Sequence, residues 1–207
     1  MHSRTYAGMF RIGNWKLDKS VLIFSMTTAK NCPAKAMGLC KVSDICYAAH
    51  PEVQYKSCLN YRERQAEYWK RTTAYGVIND IREIIRKRPY IKYFRFNENG
   101  DFRNQDDVDK LSIIALCLLP LGIKTYGYTA RHDLNFDCVK FHVRFSGLSV
   151  TEPNKQPRTI VINKPEDKPK GYHLCKGKGC GKECKVCMET NKNVAFLIHG
   201  PNKKKGK

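Results

Sequence analysis

Short apolar runs alternate with longer helical segments along this 207-residue chain, and this alternation constrains the fold more than any other feature. The composition of residues 59–88 is helical, with Gly76 as a candidate break, and Asn104 is predicted to cap a second long helix. Strand-helix-strand units of this length form right-handed crossovers and parallel sheets. We therefore expect an α/β fold, either a partial, mostly parallel barrel or an open sheet, with strands at 21–26, 91–97, 123–129, 141–145, 159–162 and 194–198.

The chain divides by composition into three parts. Residues 1–170 are expected to form the α/β core, 171–200 a Cys-rich metal knot packed on it, and 201–207 a disordered basic tail. Loops that follow parallel strands gather at one edge of a sheet. The polar residues just after these strands are therefore expected to lie close together.

Ten cysteines occur in a chain whose N-terminus is not followed by an apolar signal segment. We expect a cytoplasmic protein, because thiols stay reduced and disulfides are rare in the cytosol. Cys117 and Cys138 lie in apolar surroundings and are expected to be small buried side chains. The remaining eight form a first cysteine group, Cys32, Cys40, Cys46 and Cys58, and a second cysteine group, Cys175, Cys180, Cys184 and Cys187.

The second cysteine group places four thiols within thirteen residues, separated by glycines that let the backbone wrap. This spacing is typical of tetrahedral sulfur coordination of zinc or of an iron-sulfur cluster. His173 lies close enough in sequence to replace one cysteine. Four free thiols on a loop rich in Gly and Lys are the alternative interpretation.

The first cysteine group follows the first predicted strand and has wider spacing, from Cys32 to Cys58. Four cysteines in this place indicate a second metal or iron-sulfur site. The position resembles that of the cluster in radical S-adenosylmethionine enzymes, which would imply S-adenosylmethionine as a cofactor. The spacing departs from their C-x3-C-x2-C motif.

Polar side chains at two strand ends are the candidates for chemistry. Arg95 and Arg131 suit phosphate or carboxylate binding, and Asp101, held by a Gly turn, suits proton transfer or nucleophilic attack, with Glu98 as a weaker second carboxylate. Asp101 is equally interpretable as a turn or capping residue. We predict catalytic roles for Asp101, Arg95, Arg131 and Asn97, and substrate contacts for Tyr126, Tyr128 and Thr129.

Charge favours a polyanionic partner. The chain has 38 Lys and Arg against 19 Asp and Glu, a formal net charge of +19. Counterion release makes nucleic acid or a nucleotide the expected partner, and a merely solvated basic surface is the alternative. No run approaches the ~18 apolar residues of a spanning helix, so no membrane partner is expected.

Several motifs occur in an order that resembles the gene-product-eighty-eight family of phage proteins, from about Val21 to Cys187. They are Cys32-Pro33, Cys46-Tyr47-Ala48-Ala49, Tyr61-Arg62-x2-Gln65, Asn97-x2-Gly100-Asp101-Phe102, Tyr126-x-Tyr128-Thr129-x-Arg131 and the terminal Cys-rich segment. The resemblance implies a viral origin and a shared site. It departs at Asn97, where many relatives are expected to carry His.

Together these patterns predict a phage-encoded metal-containing enzyme, with iron-sulfur or zinc, that modifies nucleic acid or a nucleotide. In this hypothesis the first cysteine group lies beside the active edge and the second is structural. The alternative is a non-enzymatic viral protein, stapled by zinc, that binds nucleic acid or inhibits a host protein target.

Overall fold

A computed structural model describes residues 6–146 and 156–198 of the chain. Eight strands form one open sheet in the order β1-β2-β3-β4-β5-β6-β8-β7. β1 is antiparallel to β2, and every other neighbouring pair is parallel. The expected α/β class is therefore confirmed as an open, mostly parallel sheet and not as a closed barrel. The predicted basic tail, 201–207, lies outside the described residues.

The strands are β1 (Arg11–Ile12), β2 (Val21–Ile23), β3 (Tyr93–Phe96), β4 (Lys124–Thr129), β5 (His142–Ser146), β6 (Arg158–Ile162), β7 (His173–Leu174) and β8 (Val194–Leu197). The α-helices are α1 (Pro33–Ala36), α2 (Ala49–Gln54), α3 (Lys56–Arg71), α4 (Ala74–Lys87), α5 (Gln105–Leu118) and α6 (Val186–Glu189). The Cys-rich segment contributes β7, α6 and β8, so it extends the sheet of the core.

The long helices follow the sequence pattern, with one difference. Asn104 caps α5, because its Oδ1 accepts a hydrogen bond from the Asp107 backbone N–H at 3.3 Å. The break between α3 and α4 does not fall at Gly76. Extended backbone at Thr72 ends α3, and the Thr73 side chain accepts a hydrogen bond from the Gly76 N–H and so begins α4.

The two faces of the sheet have different coverings. Phe94 and Phe96 of β3 pack against apolar residues of α3, α4 and α5. Alternate residues of the same strand point to the opposite side, which we call the inner face. There Tyr93 and Tyr126 pack with Met188 of α6 and with Cys180 and Cys187. The segment that carries the second cysteine group therefore covers part of the inner face.

Two lesser expectations can be compared with the structure. Cys138 is exposed, so the prediction that it is buried was wrong, while Cys117 is half-buried and packs against the main apolar cluster. Cys138 lies in an irregular loop between β4 and β5, where Phe136 and Phe141 on either side are buried but its own side chain is not. In residues 6–146 and 156–198, no helix has both the length and the apolar character needed to cross a membrane.

Candidate functional site

The centre of the inner face is built by β3 and β4. Their register sets Arg95 beside Tyr126, so that these side chains share one face with Tyr128 two residues on. The guanidinium carbon of Arg95 lies 5.2 Å from the centroid of the Tyr128 ring. Burial acts to lower the pKa of Arg95, but Tyr47, Tyr126, Tyr128 and Glu98 raise it overall, so the guanidinium is charged.

Several buried polar atoms in and just after β3 and β4 have no hydrogen-bond partner. They are Nε of Arg95 and the hydroxyl of Tyr126, on the inner face, and Nδ2 of Asn97, which directly follows β3. Asn97 is only 4% exposed and adopts a φ of 49°, a left-handed conformation that Asn tolerates better than most residues. Leaving a buried donor without a partner costs about 1–3 kcal/mol. These unpartnered donors therefore indicate a place where a ligand with oxygen acceptors fits.

The second cysteine group lies next to these atoms. The thiol of Cys180 donates a hydrogen bond to the sulfur of Cys175, and the Gly177 backbone N–H donates to the same sulfur at 3.3 Å. These bonds, helped by the positive charges of Lys16 and Arg95, lower the pKa of Cys175. The pKa of Cys180 is raised in turn, because it donates to Cys175 and is buried. Cys175 is therefore the sulfur of this pair that ionises more readily.

The remaining members of the group face the same way. Burial raises the pKa of Cys187, whose thiol is hydrogen-bonded to Tyr128 and whose other charged neighbours include Cys175 and Cys184. The sulfur of Cys184 lies 3.8 Å from Nε2 of His173. The sequence analysis had singled out His173 as a substitute ligand, and the structure places it at that distance.

Arg144 of β5 anchors this segment, and the sequence analysis did not single it out. It is fully buried at 0% exposure, and burial lowers its pKa. Its guanidinium donates to the backbone oxygens of Val186 at 2.8 Å and Cys187 at 3.2 Å, and also to those of Thr190 and Lys192. Carbonyl oxygens around α6 thus stabilise the buried guanidinium by hydrogen bonding, and these bonds fix the position of Cys187.

A tight turn at residues 14–17 borders the site. The Asn14 Oδ1 accepts backbone N–H groups of Lys16 and Leu17 at 2.8 and 2.9 Å, and Asn14 Nδ2 donates to Glu98 Oε1 at 2.7 Å. On the other side, the Cys180 N–H donates to the Lys16 carbonyl at 3.1 Å. The turn therefore connects the loop after β3 with the second cysteine group.

Asp101 lies at the carboxyl edge of the sheet, beyond β3. Its Oδ1 accepts from the Thr129 hydroxyl at 2.6 Å and the Phe102 N–H at 2.9 Å, and its Oδ2 accepts from the Ala130 N–H at 2.7 Å. Burial nevertheless raises its pKa to about 6, because desolvation outweighs these bonds. Asp101 therefore links the ends of β3 and β4 and titrates near neutrality.

Arg131 is used differently from the expectation. Nε and Nη2 donate to the two carboxylate oxygens of Asp133, each at 2.8 Å, and Nη1 donates to the carbonyls of Phe102 and Arg103 at 2.7 and 2.8 Å. Four of its five N–H groups are thus engaged within the protein. The structure shows Arg131 holding the start of the β4–β5 connection, and we assign it no phosphate.

Part of the first cysteine group also lies at this edge. Burial and the negative charge of Asp101 raise the pKa of Cys32 to about 12, and burial also raises that of Cys40. Cys40 counts Cys46 and Asp101 among its charged neighbours. Cys58 lies in the first turn of α3, and within the described residues its side chain forms no hydrogen bond with the other three. Asp101 thus acts on the pKa of Cys32 and of Cys40, and within the described residues the four cysteines form no group that could hold a metal.

In neither cysteine group are the sulfur atoms arranged to coordinate a metal ion. In the described part of the chain, no three side chains of His, Cys, Asp or Glu are grouped so that they could hold a metal ion. The metal knot is therefore not confirmed. The second group still offers sulfur ligands close to the cations Lys16 and Arg95, and the metal stays a prediction.

A comparison with known families decides the relationship of the chain. The family model described as Gene product 88 matches residues 4–157, well over half of the chain. The protein belongs to the Gene product 88 family of phage proteins. The matched part contains the first cysteine group, Asp101 and Arg95, and it ends before the second cysteine group, which the resemblance had been expected to include. No curated protein and no solved structure matches the chain significantly.

Proposed function

We propose that this Gene product 88 protein is a phage-encoded metalloenzyme that modifies a nucleic acid or a nucleotide, with its site on the inner face of the sheet. The observation that carries the proposal is that Arg95 Nε, Asn97 Nδ2 and the Tyr126 hydroxyl are buried polar atoms without partners, with Arg95 close enough to Cys175 to help lower its pKa. Such donors suit a ligand rich in oxygen acceptors, as phosphate groups are.

Charge supports a phosphate-bearing substrate. The Arg95 guanidinium is charged and half-buried, and Lys16 lies close enough that Arg95 is one cause of its lowered pKa, after burial. Two adjacent cations attract an anion, and Glu98 is the carboxylate that raises the pKa of both. The net charge of +19 adds a field that concentrates polyanions at the surface.

The second cysteine group is the proposed metal site, and zinc or iron-sulfur are its candidates. Cys175, Cys180, Cys184 and Cys187 would hold the metal, which would supply Lewis-acid or electron-transfer chemistry beside the phosphate. This proposal differs from the sequence-based hypothesis, which made the first group catalytic. The metal site is placed on the inner face because Arg95 lies close to Cys175 and Tyr128 is hydrogen-bonded to Cys187.

Asp101 is the proposed proton acceptor. With a pKa of about 6 it is ionised at neutral pH yet able to take up a proton, and Oδ2 accepts only one of its three hydrogen bonds. S-adenosylmethionine as a cofactor rests only on the position of the first cysteine group after β2, and no step is assigned to it.

The experiment compares nucleosides and nucleotides, by liquid chromatography and mass spectrometry, from cells that express the wild type or Arg95→Met. We expect a modified species with the wild type that is lost with Arg95→Met, while the exposed control Arg86→Met retains it. Identical profiles for all three proteins, at equal soluble expression, would contradict an enzymatic role. Tight stoichiometric binding without modification would then favour the non-enzymatic alternative.

A further inference from the structure

Trp15 is unusual among the aromatic residues of this protein. It is 80% exposed, more than any other aromatic side chain in the described residues. Nζ of Lys16 lies 4.7 Å from the centroid of its ring. A single exposed apolar residue is common on protein surfaces and needs no explanation by itself. What sets Trp15 apart is the rigidity of its support and the charges that surround it.

The support is a hydrogen-bonded turn fixed at both ends. Asn14 accepts two backbone N–H groups within the turn and donates to Glu98 across the site. Leu17 is buried in the apolar cluster of the inner face, and the backbone of Lys16 and Asp18 bonds to Cys180. The turn is thus fixed in place while its tip exposes an indole ring, and little entropy is lost when a planar ligand stacks there.

The surroundings of Trp15 are basic and partly aromatic. The segment that bonds to its turn exposes Lys176, Lys178, Lys182 and Lys185. On the other side Tyr47, 48% exposed, donates through its hydroxyl to the carbonyl of Glu98 at 2.5 Å, the same residue that anchors Asn14. Tyr47 is therefore bonded to Glu98 directly, and Trp15 follows Asn14, whose side chain is bonded to the same residue.

We propose that Trp15 is the base-stacking residue of a site for single-stranded nucleic acid, whose backbone runs along the exposed lysines toward Arg95. Aromatic rings interleaved with cations are the usual means of binding single strands. A duplex is a poor ligand, because its base faces are already stacked and cannot meet an indole ring. This inference rests on the nucleic-acid substrate of the proposed function and specifies its strandedness.

The chain provides its own optical probe. It has two tryptophans, and the other, Trp69, is fully buried and donates to Asp107 at 2.7 Å. Fluorescence of the full-length protein is titrated with single-stranded oligomers of deoxythymidine and of uridine, about 15 nucleotides long, and with a duplex of equal length. We expect quenching by the single strands that is absent in Trp15→Phe, where Trp69 alone reports an intact fold.

Affinity is measured separately by anisotropy of labelled oligomers. Trp15→Ala is expected to weaken single-strand binding roughly 5- to 100-fold, Trp15→Phe to retain most of it, and the matched control Tyr90→Ala, 48% exposed before β3, to change it less than about twofold. Comparison of the two oligomers distinguishes DNA from RNA.

The outcomes separate the two proposals. If Trp15→Ala binds single strands as tightly as the wild type, or if the duplex binds equally well, the inference is overturned while the proposed function stands. If the wild type binds no nucleic acid at all, both fail. If the Trp15 effect appears but no modified nucleoside is found, the stacking site stands and the enzymatic role fails.

Discussion

The two cysteine groups have opposite electrostatic surroundings. Cys32 and Cys40 lie near the carboxylate of Asp101, and their thiols are held protonated by burial and by that charge. Cys175 lies near Lys16 and Arg95 and accepts two hydrogen bonds, so its pKa is lowered. The first group belongs to the part of the chain that matches the family, and the second lies beyond it.

This difference in electrostatic surroundings indicates which cysteine group is better suited to bind a metal or an anionic substrate. A thiolate is the form that binds metals, and forming one beside a carboxylate is unfavourable. The first group is therefore better suited to packing at the carboxyl edge, where Asp101 ties β3 to β4. The second group has both the more readily ionised sulfur and the unpartnered donors.

The largest expected effect is on thiol reactivity. In reduced, metal-free protein at neutral pH, we expect iodoacetamide to alkylate Cys175 about a hundredfold faster than Cys32. The thiolate fraction favours Cys175 strongly, and its lower intrinsic nucleophilicity offsets only part of that advantage. Peptide mass spectrometry over time measures both rates, with exposed Cys138 as the reference. Equal rates for Cys175 and Cys32 would remove the contrast between the groups.

The second prediction concerns Asp101 and pH. Its folded pKa of about 6 lies above its ordinary value of 3.8, so the folded state keeps a proton that the unfolded chain releases. The contribution of Asp101 to stability therefore falls as pH rises through this window, by about 2 kcal/mol between pH 4 and pH 7.

Urea unfolding of the wild type and of Asp101→Asn at several pH values tests this. The difference between their free energies of unfolding should shift against the wild type as pH increases and become level above pH 7. A pH-independent difference would show that Asp101 titrates normally. The exposed Asp137→Asn serves as the control.

The third prediction compares two hydroxyl groups of β4, those of Thr129 and Tyr126. Thr129→Val removes a donor to Asp101 and should lower the free energy of unfolding by about 1–2 kcal/mol. Tyr126→Phe removes a hydroxyl that has no partner, so stability should stay within about 0.5 kcal/mol or rise slightly. Chemical denaturation measures both. A large loss for Tyr126→Phe would mean that this hydroxyl is satisfied in solution.

The smallest effect is on the titration of Cys175. Arg95→Met removes one of the positive charges that lower its pKa, so the midpoint pH of its alkylation should rise by about half a unit. The exposed Arg86→Met, in α4, should leave the midpoint unchanged. An unshifted midpoint in Arg95→Met would place Arg95 outside the electrostatic surroundings of the second group.

Much of the fold could be predicted because its strands and helices have clear periods. The cap at Asn104 follows from local pattern, and the parallel arrangement follows from the strand-helix-strand units. The two-residue strands β1 and β7 and the four-residue helices α1 and α6 carry too few residues to show a period. In the Cys-rich segment the strand β8 was therefore predicted, at 194–198, but its partner β7 was not.

The site was predictable in its residues but not in its grouping. Arg95, Tyr126 and Tyr128 were candidates, yet their neighbour turned out to be the second cysteine group, which is brought there by long-range strand pairing of β8. Asp133, two residues after Arg131, was the local signal that Arg131 has a partner. The roles of Lys16, Trp15 and Arg144 depend on contacts between distant parts of the chain, and only their exposure and hydrogen bonds show them.

Metal content tests the central claim most directly. Protein purified without oxygen, as wild type, as Cys175→Ser with Cys180→Ser, and as the control Cys117→Ser with Cys138→Ser, is analysed for zinc and iron per chain. We expect bound metal in the wild type and the control that is lost in the Cys175 and Cys180 variant while the chain stays folded. Metal absent from the wild type, or retained equally in all three proteins, would contradict a metal site at the second cysteine group.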